Sequence, residues 1–85
     1  MLRISPVLRA LLPAFSGLTT DIHHWLEAFA IFSNIAGVTT NAGRAELLIN
    51  YVVGPAAVFV SGLPVQTMQS YTLLRQALVM RFSPA

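Results

Sequence analysis

The sequence predicts an all-α fold of four short helices, and three observations support this prediction. Apolar residues recur at spacings of three and four over several stretches, which is the pattern of a helix with one buried face. Residues that favour helix starts precede these stretches, and glycine or proline follows them. The chain has 85 residues, 55% of them hydrophobic, so it can form one small core and is too short for a multidomain enzyme.

The first predicted helix begins after Thr19 and Thr20 and ends near Ala36. A threonine can cap its start, with Asp21 in the first turn, where the helix dipole favours a negative charge. Gly37 can adopt the left-handed conformation that closes the last turn. The apolar face consists of residues at helical spacing: Ile22, Trp25, Leu26, Phe29 and Phe32.

The second predicted helix starts at Thr39-Thr40-Asn41 and ends at Gly54. Pro55 suits the first position of a third helix, because a proline has a fixed φ and its missing N–H needs no partner there. This predicted helix extends to Gly62. Residues 58–60 also have the propensity of a strand, so a strand stays open as an alternative. The apolar face of the second helix is Ala45, Leu48, Ile49 and Val52.

The fourth predicted helix begins after a polar loop, with Ser70 as its cap. Its apolar face is Tyr71, Leu74, Ala77, Leu78 and Phe82. Pro6 and Pro13 limit any helix near the start of the chain. We therefore expect residues 1–14 to be an N-terminal arm and residues 15–85 to be the helical domain.

Charged residues are scarce. They make up 9% of the chain, with five arginines against three acids and a net charge of +2. The arginines are dispersed and are not interleaved with exposed aromatic residues, so direct nucleic-acid binding is not favoured. A soluble domain surface usually carries more charge, and we expect apolar surface that meets a partner.

Residues 47–63 could form a membrane-spanning helix, because there is no charged residue between Glu46 and Arg75. Their length is close to the roughly 17 to 25 residues of a spanning helix. Asn50, Gly54-Pro55 and Pro64 interrupt the stretch, which favours two short soluble helices. We therefore expect no membrane contact. The alternative is that the chain is a small membrane protein that uses residues 47–63 as its span.

No catalytic, metal or cofactor site is predicted. The chain has no cysteine and only two histidines, His23 and His24, whereas a metal site needs about three or four protein ligands. Ser61 lacks the preceding glycine of a nucleophile elbow, and no histidine follows it. The region from Gly37 to Gly43 has the wrong spacing for a phosphate-binding loop, and the chain contains no lysine.

Several short motifs resemble the Gag capsid domain of Ty3/gypsy-type LTR retrotransposons. Phe15-Ser16-Gly17, followed by Trp25-Leu26-Glu27-Ala28-Phe29, resembles the F-x-G and W-L-x-x-F sequences that open this domain. Gly54-Pro55-Ala56 with Phe59 and Leu63-Pro64 resembles its G-x-A-x-x-W-x-x-x-L-P. Ser70-Tyr71-x-x-Leu74 and Arg81-Phe82 resemble its closing S/T-W-x-x-L and R-F. Phe59 and Tyr71 stand where the family has tryptophan, and the chain carries fewer charges than the family does.

The resemblance implies the N-terminal lobe of a two-lobed capsid protein, a small orthogonal bundle of about four to five short helices. Its function would be structural: copies self-associate into the shell of an intracellular, cytoplasmic virus-like particle. The implied partners are other copies of the chain and a C-terminal capsid lobe, with RNA contacted at most indirectly. The chain would be a piece of a longer Gag protein or a shortened domesticated copy.

The resemblance also implies an alternative function as a domesticated, peptide-binding adaptor. In host proteins derived from such elements, including neuronal Arc, this lobe takes a short hydrophobic peptide in a groove. The corresponding groove or partner-binding residues here are Phe15, Asn50, Tyr51, Val53, Gly54 and Pro55. We expect the arm, residues 2–13, to lie in that groove. The expected core anchors are Trp25, Leu26, Phe29, Phe59, Leu63, Tyr71, Leu74, Leu78 and Phe82.

Overall fold

The computed structural model describes residues 12–18 and 20–83. Most of the predicted arm, residues 1–11, lies outside the described residues. The described part contains five helices, which confirms the all-α prediction. They are α1 (Ile22–Ile35), α2 (Asn41–Ile49), α3 (Gly54–Ser61), α4 (Val65–Met68) and α5 (Tyr71–Phe82).

Side chains cap three of these helices. Thr40 accepts a hydrogen bond from the Gly43 amide at 3.0 Å, and Ser70 accepts one from the Leu73 amide at 3.3 Å, at the two starts where the sequence predicted caps. The start of α1 differs from the prediction, since Asp21 caps it and accepts from the His24 amide at 3.3 Å. Asp21 directly precedes the first helical residue in an extended conformation, which places its carboxylate over the free amides.

The end of α2 also differs from the prediction. The helix ends at Ile49 and not at Gly54, because the following residues bond to the N-terminal segment. The Phe15 amide donates to the Tyr51 carbonyl at 2.8 Å, and the Val53 amide donates to the Phe15 carbonyl at 2.9 Å. Phe15 and Val52 thus form an isolated parallel bridge. The strand alternative for residues 58–60 is wrong, since they are part of α3.

A one-turn helix, α4, replaces the predicted polar loop. The Met68 amide donates to the Pro64 carbonyl at 3.1 Å, and the Gln69 amide donates to the Val65 carbonyl at 3.1 Å. Pro64 has the extended conformation of a residue that precedes a helix. The chain then passes through Ser70 directly into α5, so α4 lies next to the N-terminal end of that helix.

The core contains a continuous row of six aromatic rings. Neighbouring ring centroids are 5.4 to 5.7 Å apart. The order along the row is Phe59, Phe82, Phe15, Trp25, Phe29 and Tyr71. Among the expected core anchors, five are buried: Trp25, Leu26, Phe29, Leu74 and Leu78. The other four are partly buried and pack against the core: Phe59, Leu63, Tyr71 and Phe82.

The N-terminal segment is part of this core. Leu12 is 2% exposed and Phe15 is fully buried. The Trp25 Nε1–H donates to the Pro13 carbonyl at 2.8 Å. The packed part of the chain therefore includes Leu12 and Pro13, ahead of the domain boundary predicted at residue 15.

Within the described ranges, none of the helices combines the length and the hydropathy that a membrane crossing requires. Residues 47–63, the stretch considered for a span, are divided between α2, an extended connection and α3.

Candidate interaction surfaces

The expected groove residues lie together, and residues 15–16 form hydrogen bonds with the main chain of residues 51–56. Phe15 and Ser16 bond to Tyr51, Val53 and Ala56, and the Ala56 amide donates to the Ser16 carbonyl at 3.0 Å. The side chains of Phe15 and Tyr51 are buried. Exposed positions surround this pairing: Asn50, Val53, Gly54 and Pro55. The arm that was expected to fill the groove consists of residues 2–13, and most of these, residues 2–11, lie outside the described part.

The surface of the described residues is rich in apolar side chains. Eight large apolar residues are more than two-fifths exposed: Leu18, Ile31, Ile35, Val53, Val58, Val65, Leu73 and Met80. Single apolar residues scattered over a surface are normal, and only those that are grouped together indicate a contact site. Two hollows in the described surface are lined by members of this set.

The first hollow lies between α2 and α4 and has a volume of about 640 Å³. Its walls are mostly apolar, and Val65 on its rim is 67% exposed. Glu46 supplies the one charge of the described lining, and no ion pair joins its carboxylate to another described residue. The lining residues are Ala42, Glu46, Ile49, Val65, Met68 and Gln69.

The second hollow lies on the outer face of α1 and has a volume of about 260 Å³. Ile31 and Ile35, one helical turn apart, are 63% and 58% exposed there. Ala28 and Phe32 complete the lining. The described lining of this hollow contains no polar side chain.

The arginines of the described part have different roles. Arg44 is held in place: its Nε donates to the Val38 carbonyl at 3.1 Å, and its Nη2 donates to the Asn34 Oδ1 at 2.7 Å. Arg75 and Arg81 are exposed on α5. The Arg81 guanidinium lies 5.3 Å from the centre of the Phe82 ring. The described arginines that face solvent, Arg75 and Arg81, therefore both lie on α5.

The polar side chains near the helix ends make local contacts. His23 Nε2 lies 3.0 Å from Ser83 Oγ and joins the start of α1 to the end of α5. Burial raises the pKa of Tyr71, and the positive charges of Arg75 and Arg44 act in the opposite direction. In residues 12–18 and 20–83, no three His, Asp or Glu side chains are grouped as metal ligands would be.

The hollow between α2 and α4 was not predicted from the sequence. Val65 and Met68 lie in a segment that was predicted to be a loop, so no wall was expected there. Pro64 was the one available signal, because a proline often stands at the start of a helix.

Comparison of the chain with protein-family models, with curated proteins and with solved structures gave no match.

Proposed function

We propose that the chain is a structural lobe of the Gag capsid type, whose function is to self-associate into a protein shell. The observation that carries the proposal is the row of six rings. Its members are the aromatic positions of the motifs that resemble the Ty3/gypsy capsid domain, and they come from segments far apart in the sequence. The short motifs are thus parts of one packing arrangement.

The surface supports self-association. Eight large apolar side chains are exposed in the described part, while charged residues make up only 9% of the chain. A monomeric domain usually carries charge on about 25 to 35% of its surface positions. Contact with further copies would cover apolar surface that otherwise faces water.

In this proposal the partners are other copies of the chain and a C-terminal capsid lobe, inside cytoplasmic virus-like particles. RNA contact is indirect in this proposal: among the described arginines, Arg44 is engaged in hydrogen bonds, and the two exposed ones, Arg75 and Arg81, are too few for a phosphate-binding surface. The lobe has a structural rather than an enzymatic role.

The peptide-binding adaptor has less support. Phe15 and Ser16 already bond to the main chain of residues 51–56, where a peptide would have to pair. A peptide could enter only by displacing Phe15, which is fully buried in the core.

Electron microscopy of the concentrated protein, prepared without detergent, tests the proposal. We expect discrete particles or rings of uniform size, because a capsid lobe repeats one contact. A field of single small molecules at every concentration would argue for the adaptor. A protein that enters solution only with detergent would argue for the membrane alternative.

A further inference from the structure

The hollow between α2 and α4 has the chemistry of a site for an apolar side chain that is accompanied by a cation. Ile49, Val65 and Met68 provide apolar walls, and Glu46 provides a negative charge. No described residue pairs with the Glu46 carboxylate, so within the described part its charge is not neutralised.

The end of α5 has the complementary chemistry. Met80 is 79% exposed, and Arg81, the next residue, is exposed as well. Within the described part, this is the one place where a strongly exposed large apolar side chain directly precedes an exposed arginine. Methionine is flexible and unbranched, so it adapts to an irregular hollow.

The two features cannot meet within one chain. The α4 wall of the hollow adjoins the N-terminal end of α5, whereas Met80 and Arg81 lie in its last turn. A helix rises about 1.5 Å per residue, which puts Arg81 about 15 Å from Tyr71 along the axis. Consistently, no ion pair joins Arg81 to Glu46 in this structure.

We propose that the last turn of α5 of one copy enters the α2–α4 hollow of a second copy, with Met80 between Val65 and Met68 and Arg81 against Glu46. The inference rests on the proposed self-association and names its contact. The two surfaces are different parts of the chain, so the contact is heterologous and repeats from head to tail. Such a contact builds a ring when the rotation closes and a filament when it does not.

Charge-reversal variants of the full chain test this contact by light scattering. Glu46→Arg places two arginines in the contact, and Arg81→Glu places two glutamates there, so each variant alone repels its own copies. We expect the concentration at which oligomers form to rise at least about tenfold in each variant. The double variant Glu46→Arg/Arg81→Glu restores opposite charges at every contact and should assemble near the parent concentration.

Two further variants complete the design. Arg75→Glu is the matched control, because it makes the same charge change on the same helix outside the contact, and it should assemble like the parent. Met80→Gln removes the apolar contact without changing charge, and it should weaken assembly. Circular dichroism melts establish that each variant is folded, and all the changed side chains are exposed.

The outcomes separate the inference from the function on which it rests. If the parent assembles and the charge variants assemble equally well, self-association stands and this contact is wrong. If both single variants are weakened but the double variant is not restored, the pairing of Arg81 with Glu46 is wrong. If only Glu46→Arg and deletion of residues 1–11 weaken assembly, the arm with Arg3 and Arg9 fills the hollow instead. A parent that stays monomeric overturns both proposals.

Discussion

The ring of Phe82 lies where a side chain at Gly17 would begin. A Cβ atom at position 17 would be 2.5 Å from Cε1 of that ring, and Gly17 has a φ of +88°. Phe82 in turn contacts the rings of Phe15 and Phe59. The missing side chain at Gly17 therefore allows the end of α5 to close the aromatic row.

Gly17→Ala should destabilise the fold by about 2 to 5 kcal/mol, because it adds left-handed strain and a steric overlap with Phe82. Gly37→Ala is the matched control: Gly37 has a φ of +77°, but no atom lies within 4 Å of a Cβ there. Gly37→Ala should lower the free energy of unfolding only by the left-handed backbone strain, about 1 to 2 kcal/mol. Urea denaturation measures both free energies of unfolding. Equal losses would show that the overlap at position 17 is relieved at no cost.

Trp25→Ala should remove about 3 to 5 kcal/mol, most of the stability of a small domain, and we expect it to abolish folding. The ring contacts both Phe15 and Phe29, and its Nε1 donates to Pro13. Trp25→Phe keeps a ring but loses that hydrogen bond, so it should fold with a loss of about 1 to 2 kcal/mol. Thermal melts followed by circular dichroism test both variants. A Trp25→Ala protein that melts cooperatively near the parent temperature would contradict the role of Trp25 in the core.

Asn41→Ala should cost about 1 to 2 kcal/mol, because the Asn41 side chain joins the starts of α2 and α5. Its Nδ2 donates to Ser70 Oγ at 3.0 Å, and its Oδ1 accepts from the Thr72 amide at 3.1 Å. Gln76→Ala is the control, since Gln76 is exposed on α5 and its side chain bonds to no described residue. Chemical denaturation should show a loss for Asn41→Ala alone, and similar values for the two variants would mean that the Asn41 contacts add nothing.

Tyr71 should make the fold sensitive to alkaline pH. Burial raises its pKa above the ordinary value of 10.0, so the unfolded chain releases this proton at a lower pH than the folded chain does. The stabilisation is complete below the unfolded pKa and is lost as the pH rises toward the folded pKa. Denaturation at about pH 9 and about pH 11 should show a smaller loss for Tyr71→Phe than for the parent, and equal losses would contradict this role.

The elements that the sequence predicted well are those that short-range chemistry determines. Thr40 and Ser70 cap helices through bonds to amides three residues later, and Gly37 closes α1 with a positive φ. These interactions involve near neighbours in the chain. Their residue types therefore indicate the structure without knowledge of the rest of the fold.

The elements that the sequence did not predict depend on contacts between distant segments. α2 ends at Ile49 because Phe15, more than thirty positions earlier, bonds to the residues that follow it. The α2–α4 hollow exists only because α4 packs beside α2, and the pattern of apolar residues does not encode that placement. Glu46, the acid in the hollow, is exposed on α2 in the single chain.

Self-association can be measured by light scattering during size-exclusion chromatography, without detergent and over a range of protein and salt concentrations. We expect a mass that rises from the 9.2 kDa monomer to discrete multiples as the protein concentration increases. A mass that stays at 9.2 kDa under every condition would contradict the capsid proposal.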